Sequence, residues 1–429
     1  MTGKTDNRKE FFLIVTGLAA GFIFRLILIT FVPQPLVHDQ LQYRDFAIGI
    51  ANNGLFAQTY RLYGYPILIA PFFLLFGPDA KWSIYIFQII MDIATGSLVY
   101  LTGKKIFKNR AAAFTGFILY QINPFTATYS GLMLTETAAI FFTALIFYLL
   151  VSFWKKLTLV KLSIITILTG YLVQVRSTNL YFALMILPFI IYKSMSIIDS
   201  FRWKAAAIIA GIFFFFLPFV YNIFGNLKYF NQFSLMTVDN FFVQQLYLSL
   251  YVDRWPLHPT ENSSYPYQVG QIYSEFSFAP KDKEERKEMA EKYLKLSLSE
   301  IESKPVFYLK RALLKMWYIF DKETLYYFTE PENKTLSVFL LWLNRTILFS
   351  AAAGLLGFIT RLKKTKSETA LIFVSGVTLM TGYYALVHVL SVSEQRFSLP
   401  LYPYVLMFAG YFFYIIRHTY FFPRKNHKF

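Results

Sequence analysis

The chain has no cysteine in 429 residues. Disulfides, thiolate metal sites and cysteine nucleophiles are therefore excluded. Charge is scarce: Asp, Glu, Lys and Arg together make 16% of the residues, less than a soluble protein of this size carries. Histidine is scarcer still, with five residues at positions 38, 258, 388, 418 and 427 and no paired spacing, so a metal site is poorly supported. There is no internal repeat and no low-complexity linker.

What fills the chain is apolar. Hydrophobic residues make 56% and aromatic residues 20%, and the mean hydropathy is +0.43. A bilayer core roughly 30 Å thick needs about 20 apolar residues per helix. Runs near that length recur, so an all-α integral membrane protein is expected, because helices satisfy their own backbone in lipid. The first run follows Lys4, Arg8 and Lys9 and has no small-residue cleavage site, which reads as a retained helix rather than a signal peptide.

The net charge of +17 resembles a nucleic-acid signature, but its placement does not. The whole of the excess sits in "KTDNRK", "GKKIFKNR", "WKKLTLVK", "YKSMSIIDSFRWK", "RLKKTK" and "PRKNHK", at the ends of the chain or between apolar runs. That is positive-inside asymmetry, so no nucleic-acid partner is expected. Placing these segments in the cytoplasm gives about ten spans, near 11–32, 82–102, 111–123, 135–153, 162–175, 179–192, 205–223, 336–358, 369–390 and 399–416, with both termini inside.

Two outside segments are long. Residues 33–81 are too apolar for a solvated loop and are broken by "NNG" and "RLYGYP", which predicts two short helices at the membrane surface. Residues 224–335 carry 14 basic and 15 acidic residues and two glycosylation-type triplets, at Asn262 and Asn333, as suits an outside location. Their stretch from Lys281 to Lys304 favours helix, and "PVFYLKRALLKMWYIF" suits an interfacial helix beginning at Pro305. The organisation expected is a transmembrane core (1–223), an external segment (224–335) and C-terminal transmembrane helices (336–429).

Ionisable residues crowd the outside ends of the spans: His38, Asp39 and Asp45, then Arg61, Glu136 and Arg176, then Glu394 and Arg396. Carboxylates and arginines converging on one membrane face need a reason. Deeper, Arg25 and Asp92 fall in the first two spans and read as a structural ion pair.

"VHDQLQYRDFAIGIANNGLF", "RLYGYPILIAPFFLLFG", "YSGLMLTETAAIFF", "VRSTNLYF" and "EQRFSLPLYPYVL", in that order, resemble the GT-C-fold membrane glycosyltransferases, in particular the protein O-mannosyltransferase and aminoarabinose-transferase superfamily. The resemblance covers most of the membrane domain and little of 224–335. It implies transfer of a sugar from a polyprenyl-phosphate donor to an acceptor on the non-cytoplasmic face, with mannose suggested by the family alone. It also puts Asp39 where the family has its catalytic acid, although the second acid that often follows is here Gln40.

Elementary chemistry agrees. A phosphate is a good leaving group, so one general base suffices where a glycosidase needs an acid as well. Asp39 is the candidate base, and Glu136 a second acid of the site. Arg61, Arg176 and Arg396 are candidate clamps for the donor phosphate. His38, Tyr43 and Glu394 are supporting candidates, with Tyr43 one turn past Asp39 on the same face. Plainer roles compete: Asp39 as N-cap of a helix starting at Gln40, Glu136 complementing a helix dipole, Arg396 paired to Glu394. No metal and no cofactor is called for, because arginines can neutralise one phosphate. The rival functions are a transporter or flippase of lipid-linked sugars, a glycan polymerase or ligase, and an inactive scaffold of the same fold. A transporter would predict paired repeats with broken midplane helices, which the sequence does not display.

Overall fold

The computed structural model describes residues 2–239, 241–255, 282–325 and 333–421. The helices are α1 (Thr2–Phe31), α2 (Asp39–Asn53), α3 (Pro66–Phe76), α4 (Lys81–Phe107), α5 (Arg110–Gln121), the single turn α6 (Pro124–Ala127), α7 (Glu136–Phe153), α8 (Leu159–Val175), α9 (Leu180–Met195), α10 (Phe201–Phe216), α11 (Val220–Phe230) and α12 (Phe241–Leu248). After the external segment's α13 (Lys283–Ser303) and α14 (Pro305–Tyr318) come α15 (Lys334–Thr365), α16 (Glu368–Val387) and α17 (Tyr402–Ile416). The all-α expectation needs one amendment: β1 (Arg254–Trp255) pairs in parallel with β2 (Ser393–Glu394).

All ten expected spans are helical, and among the described residues eight helices are long and apolar enough to cross a membrane. The chain is an integral membrane protein. The two exceptions are α5, with 12 residues, and α8, with 17. At about 1.5 Å per residue neither matches a core of roughly 30 Å. Conversely, α10 and α11 run on through a 3₁₀ turn containing Pro218 as one 30-residue span, Phe201–Phe230, longer than the sequence suggested.

Boundaries follow local chemistry. Asn109 caps α5 by accepting from the Ala112 N–H at 2.9 Å, and Asn333 caps α15 by accepting from Leu336 at 3.1 Å. Asn333 is thus a helix cap within its triplet, while Asn262 and His258 lie outside the described residues. Lys108 and Lys366 take left-handed backbone angles that end α4 and α15.

Two apolar cores share α4 and α7. One joins these helices to α1–α3 and α8–α10, and the other joins them to α5, α15, α16 and α17. Helices α5 and α17 touch through Gly116 and Gly410, where an added Cβ on Gly410 would strike the α5 backbone. Outside the cores, large side chains such as Phe11, Phe31, Phe339, Trp342 and Phe349 are exposed, as lipid-facing surfaces require. The expected pair in the spans is present: Arg25 Nε lies 2.7 Å from Asp92 Oδ2, both fully buried. Tyr120 donates to Asp92 Oδ1 at 2.5 Å, and Arg25 donates to the Gly21 and Gln121 carbonyls at 2.9 Å.

Candidate active site

The site lies at the seam of the two cores, on the face opposite the basic loops. Helix α2 begins at Asp39 itself, not at Gln40. His38 stands at the N-cap with φ 48° and makes no side-chain cap bond. A non-glycine residue there is strained, and strain of this kind clusters at functional sites. The capping role for Asp39 is therefore not observed. Its carboxylate turns instead to two arginines.

Asp39 Oδ1 lies 2.5 Å from Arg61 NH2, and Oδ2 lies 3.2 Å from Arg396 NH2. Arg61 comes from the turn between α2 and α3. Gln42, one turn along α2, accepts from its Nε and NH2 at 2.8 and 2.6 Å. Its guanidinium sits 5.0 Å from the Tyr43 ring and 5.6 Å from the Tyr60 ring. Tyr43 thus acts on Arg61, through its ring and a 3.4 Å bond at its hydroxyl, rather than orienting Asp39 directly as expected. Burial works against the charged form of Asp39, but the Arg61 and Arg396 guanidiniums outweigh it and hold the carboxyl below its ordinary value.

Arg396 is the hub. Its Nε lies 2.5 Å from Glu394 Oε2 and 3.5 Å from Glu136 Oε1, while NH2 reaches Asp39. Glu136, the first residue of α7, also accepts from Arg176 NH1 at 3.1 Å, and Arg176 packs over the Phe397 ring at 5.3 Å. Glu136 is 2% exposed and its Oε2 has no hydrogen-bond partner. Three carboxylates and three arginines therefore form one connected set. Burial runs from Glu136 and Arg176 inside to Asp39 and Arg61 at the mouth, which are 26% and 22% exposed. Asp45 lies apart, more than half exposed and paired to Arg44 at 2.8 Å.

Backbone stitches set this geometry. The Gly64 N–H donates to the Gln174 carbonyl at 3.2 Å, and Tyr171 donates to the Gly64 carbonyl at 2.6 Å. A Cβ at Gly64 would collide with the Gln174–Val175 peptide, so only glycine lets the Arg61 turn approach the end of α8. Gln40, where the family often has an acid, is a buried strut: its Oε1 accepts from the Met133 N–H at 3.0 Å and its Nε2 donates to the Pro35 carbonyl at 2.7 Å.

Sequence reasoning missed Gln42, Tyr60 and Phe397. Gln42 could have been found, because it stands three residues from Asp39 on the same helix face. Nothing in the sequence pointed to Phe397. Among the described residues, no group of three or more His, Asp or Glu side chains is arranged to hold a metal ion.

The fold is similar to that of solved archaeal structures. The Archaeoglobus fulgidus oligosaccharyltransferase in the apo form matches 95% of this chain with a TM-score of 0.56 at 12% identity. Oligosaccharyltransferase AglB of the same organism, in complex with an inhibitory peptide and a dolichol-phosphate, matches 94% with a TM-score of 0.51 at 15% identity. The chain spans about half the length of these proteins, 50% in each case. No curated protein sequence matches it. The model of the dolichyl-phosphate-mannose-protein mannosyltransferase family matches residues 63–222. The matched stretch contains Glu136 and Arg176; Asp39, Arg61, Glu394 and Arg396 flank it.

Proposed function

We propose that this protein transfers a sugar from a polyprenyl-phosphate donor to an acceptor hydroxyl, with inversion, at the non-cytoplasmic membrane face. The observation that carries the reading is Asp39 held between Arg61 and Arg396 at the partly open mouth of the site. The acceptor oxygen attacks the anomeric carbon from the side opposite the phosphate. The bond from that carbon to the phosphate oxygen breaks, and its electron pair leaves with the polyprenyl phosphate. The hydroxyl proton passes to Asp39.

Every arginine of the site is engaged by a carboxylate. The donor phosphate therefore enters by exchange, taking guanidinium bonds that Asp39 held. Exchange does two things at once. It places the leaving group on cations that stabilise its developing charge. It also frees Asp39 from the cations that made it a weak base. Glu136 stays inside with Arg176 as a second acid, and Glu394 steadies Arg396.

The topology belongs to the same reading. The basic loops after α4, α7, α9 and α15 face the cytoplasm with both termini, and α2 and α3 lie along the outer surface framing the mouth. Residues 1–223 form the catalytic core, 224–335 an external segment on the acceptor side and 336–429 the closing helices. Mannose is the first sugar to try, on family grounds.

The test is release of sugar from a panel of polyprenyl-phosphate sugars by purified protein, with candidate acceptors supplied. Wild type should turn over one donor, and Asp39→Asn should lose about 10²–10⁴-fold while retaining donor binding. Equal turnover by the variant removes Asp39 from the mechanism. Binding with no turnover on any donor favours a transporter or scaffold.

A further inference from the structure

Lys322 is a lysine buried to 2% exposure, in the connection between α14 and α15. Of the two acids adjacent to it in sequence, Asp321 gives both oxygens to Arg345, at 3.0 and 2.8 Å, and Glu323 pairs with Arg254. Lys322 Nζ donates to the Gln395 carbonyl, to Ser398 Oγ at 2.8 Å and to the Ile319 carbonyl at 3.3 Å, and lies 4.8 Å from the Tyr402 ring. Burial drives its ammonium well below the ordinary lysine value, with Asp321 opposing. An expensive cation has thus been placed where three neutral acceptors converge.

Two of those acceptors, Gln395 and Ser398, lie on the turn after β2 that carries the hub of the site, and Ile319 follows the end of α14. Gln395 stands between Glu394 and Arg396. It is gripped a second time, as its Oε1 accepts from the Glu323 and Thr324 N–H groups at 3.2 and 3.4 Å. Just before it, the Ser393 N–H donates to the Asp253 carbonyl at 3.0 Å, and β1 pairs with β2. Arg254 and Glu323, 3.4 Å apart, join the two halves of the external segment.

We infer that Lys322 is a positioning residue for Arg396, and that through it the external segment sets the affinity of the site for the donor phosphate. The inference deepens the reading of a phosphate-binding site at Asp39, Arg61 and Arg396 and rests on it. Without the Lys322 bonds the 394–398 turn has lost its internal anchor. Arg396 then no longer stands at fixed distance from both Asp39 and Glu136.

The experiment measures binding of polyprenyl phosphate to the full-length protein in nanodiscs, together with hydrogen exchange of the 393–398 amides. Lys322→Met should weaken binding by roughly tenfold or more, the worth of a charge-assisted hydrogen bond. Gln395→Met, which keeps Lys322 and should fold, should weaken it in the same direction by less. In an Arg396→Gln background, Lys322→Met should add almost nothing, because the residue it positions is gone. Unchanged affinity in both single variants, or additive losses in the double variant, overturns the proposal. If wild type itself fails to bind polyprenyl phosphate, the donor reading falls separately. Hydrogen exchange then decides the latch: protection of 393–398 retained in Lys322→Met overturns it, and protection lost supports it.

Discussion

In the proposed transfer Asp39 would be a weak base and a useful one by turns. Its proton affinity is set first by burial, which raises it, and then by Arg61 and Arg396, which together pull it below the ordinary value. A depressed carboxyl stays ionised until pH falls beneath the usual range of about 4. The acid limb of kcat/KM, which reports the free protein, should therefore lie below that range. Once a phosphate occupies the arginines, Asp39 loses their pull and gains an anionic neighbour, and both changes raise its pKa. The acid limb of kcat should lie at higher pH than that of kcat/KM. Coincident limbs in the two pH profiles would rule out the exchange. Arg61→Lys tests the other half. A point charge on a flexible stem cannot reproduce the fork that binds Asp39 and Gln42 together, so the KM for donor should rise by about tenfold or more.

Elements place these residues by a few close approaches. Gly64 brings the Arg61 turn against the last turn of α8, next to Arg176. Gly64→Ala pushes against the Gln174–Val175 peptide and cannot be relieved by a rotamer change. Turnover should fall by at least about tenfold with the protein still folded, since misplacement of about 1 Å at a site can cost 10²-fold. Unaltered kinetics would mean that the turn position is not critical. Within the membrane, Arg25 and Asp92 tie α1 to α4. Asp92→Ala leaves a buried guanidinium without its counter-ion and should destabilise by about 3–5 kcal/mol. The double variant Arg25→Met/Asp92→Leu should recover part of that loss in a thermal melt. A double variant no more stable than Asp92→Ala would show that the pair matters for more than its charge balance.

Over the whole molecule, charge and connectivity divide the protein into two faces. The basic loops lie at one set of helix ends and the carboxylate–arginine set at the other. The absence of native cysteine makes this simple to check. Single cysteines at the exposed positions Ser196 and Thr365 (Ser196→Cys, Thr365→Cys) should react with an impermeant thiol reagent only from the cytoplasmic side. Asn53→Cys and Ser303→Cys should react only from the opposite side. All four reacting from one side would overturn the topology and with it the outward-facing site.

Periodicity, composition and the position of basic residues were sufficient for the helical membrane class, for the location of every long span and for the pairing of Arg25 with Asp92, because lipid imposes length and charge rules that act locally along the chain. The candidate set Asp39, Arg61, Glu136, Arg176, Glu394 and Arg396 was legible for the same reason: charges are costly at the membrane, so those present stand out. What the sequence could not show was who pairs with whom. Arg396 meets Asp39 across 357 positions of chain, and Gln395 meets Lys322 across 73. The strained backbone at His38, the strut made by Gln40, the glycine contact at Gly64 and the β1–β2 bridge likewise depend on segments remote in sequence. Local rules decide which residues reach the membrane face, and only tertiary packing decides which of them share a charge.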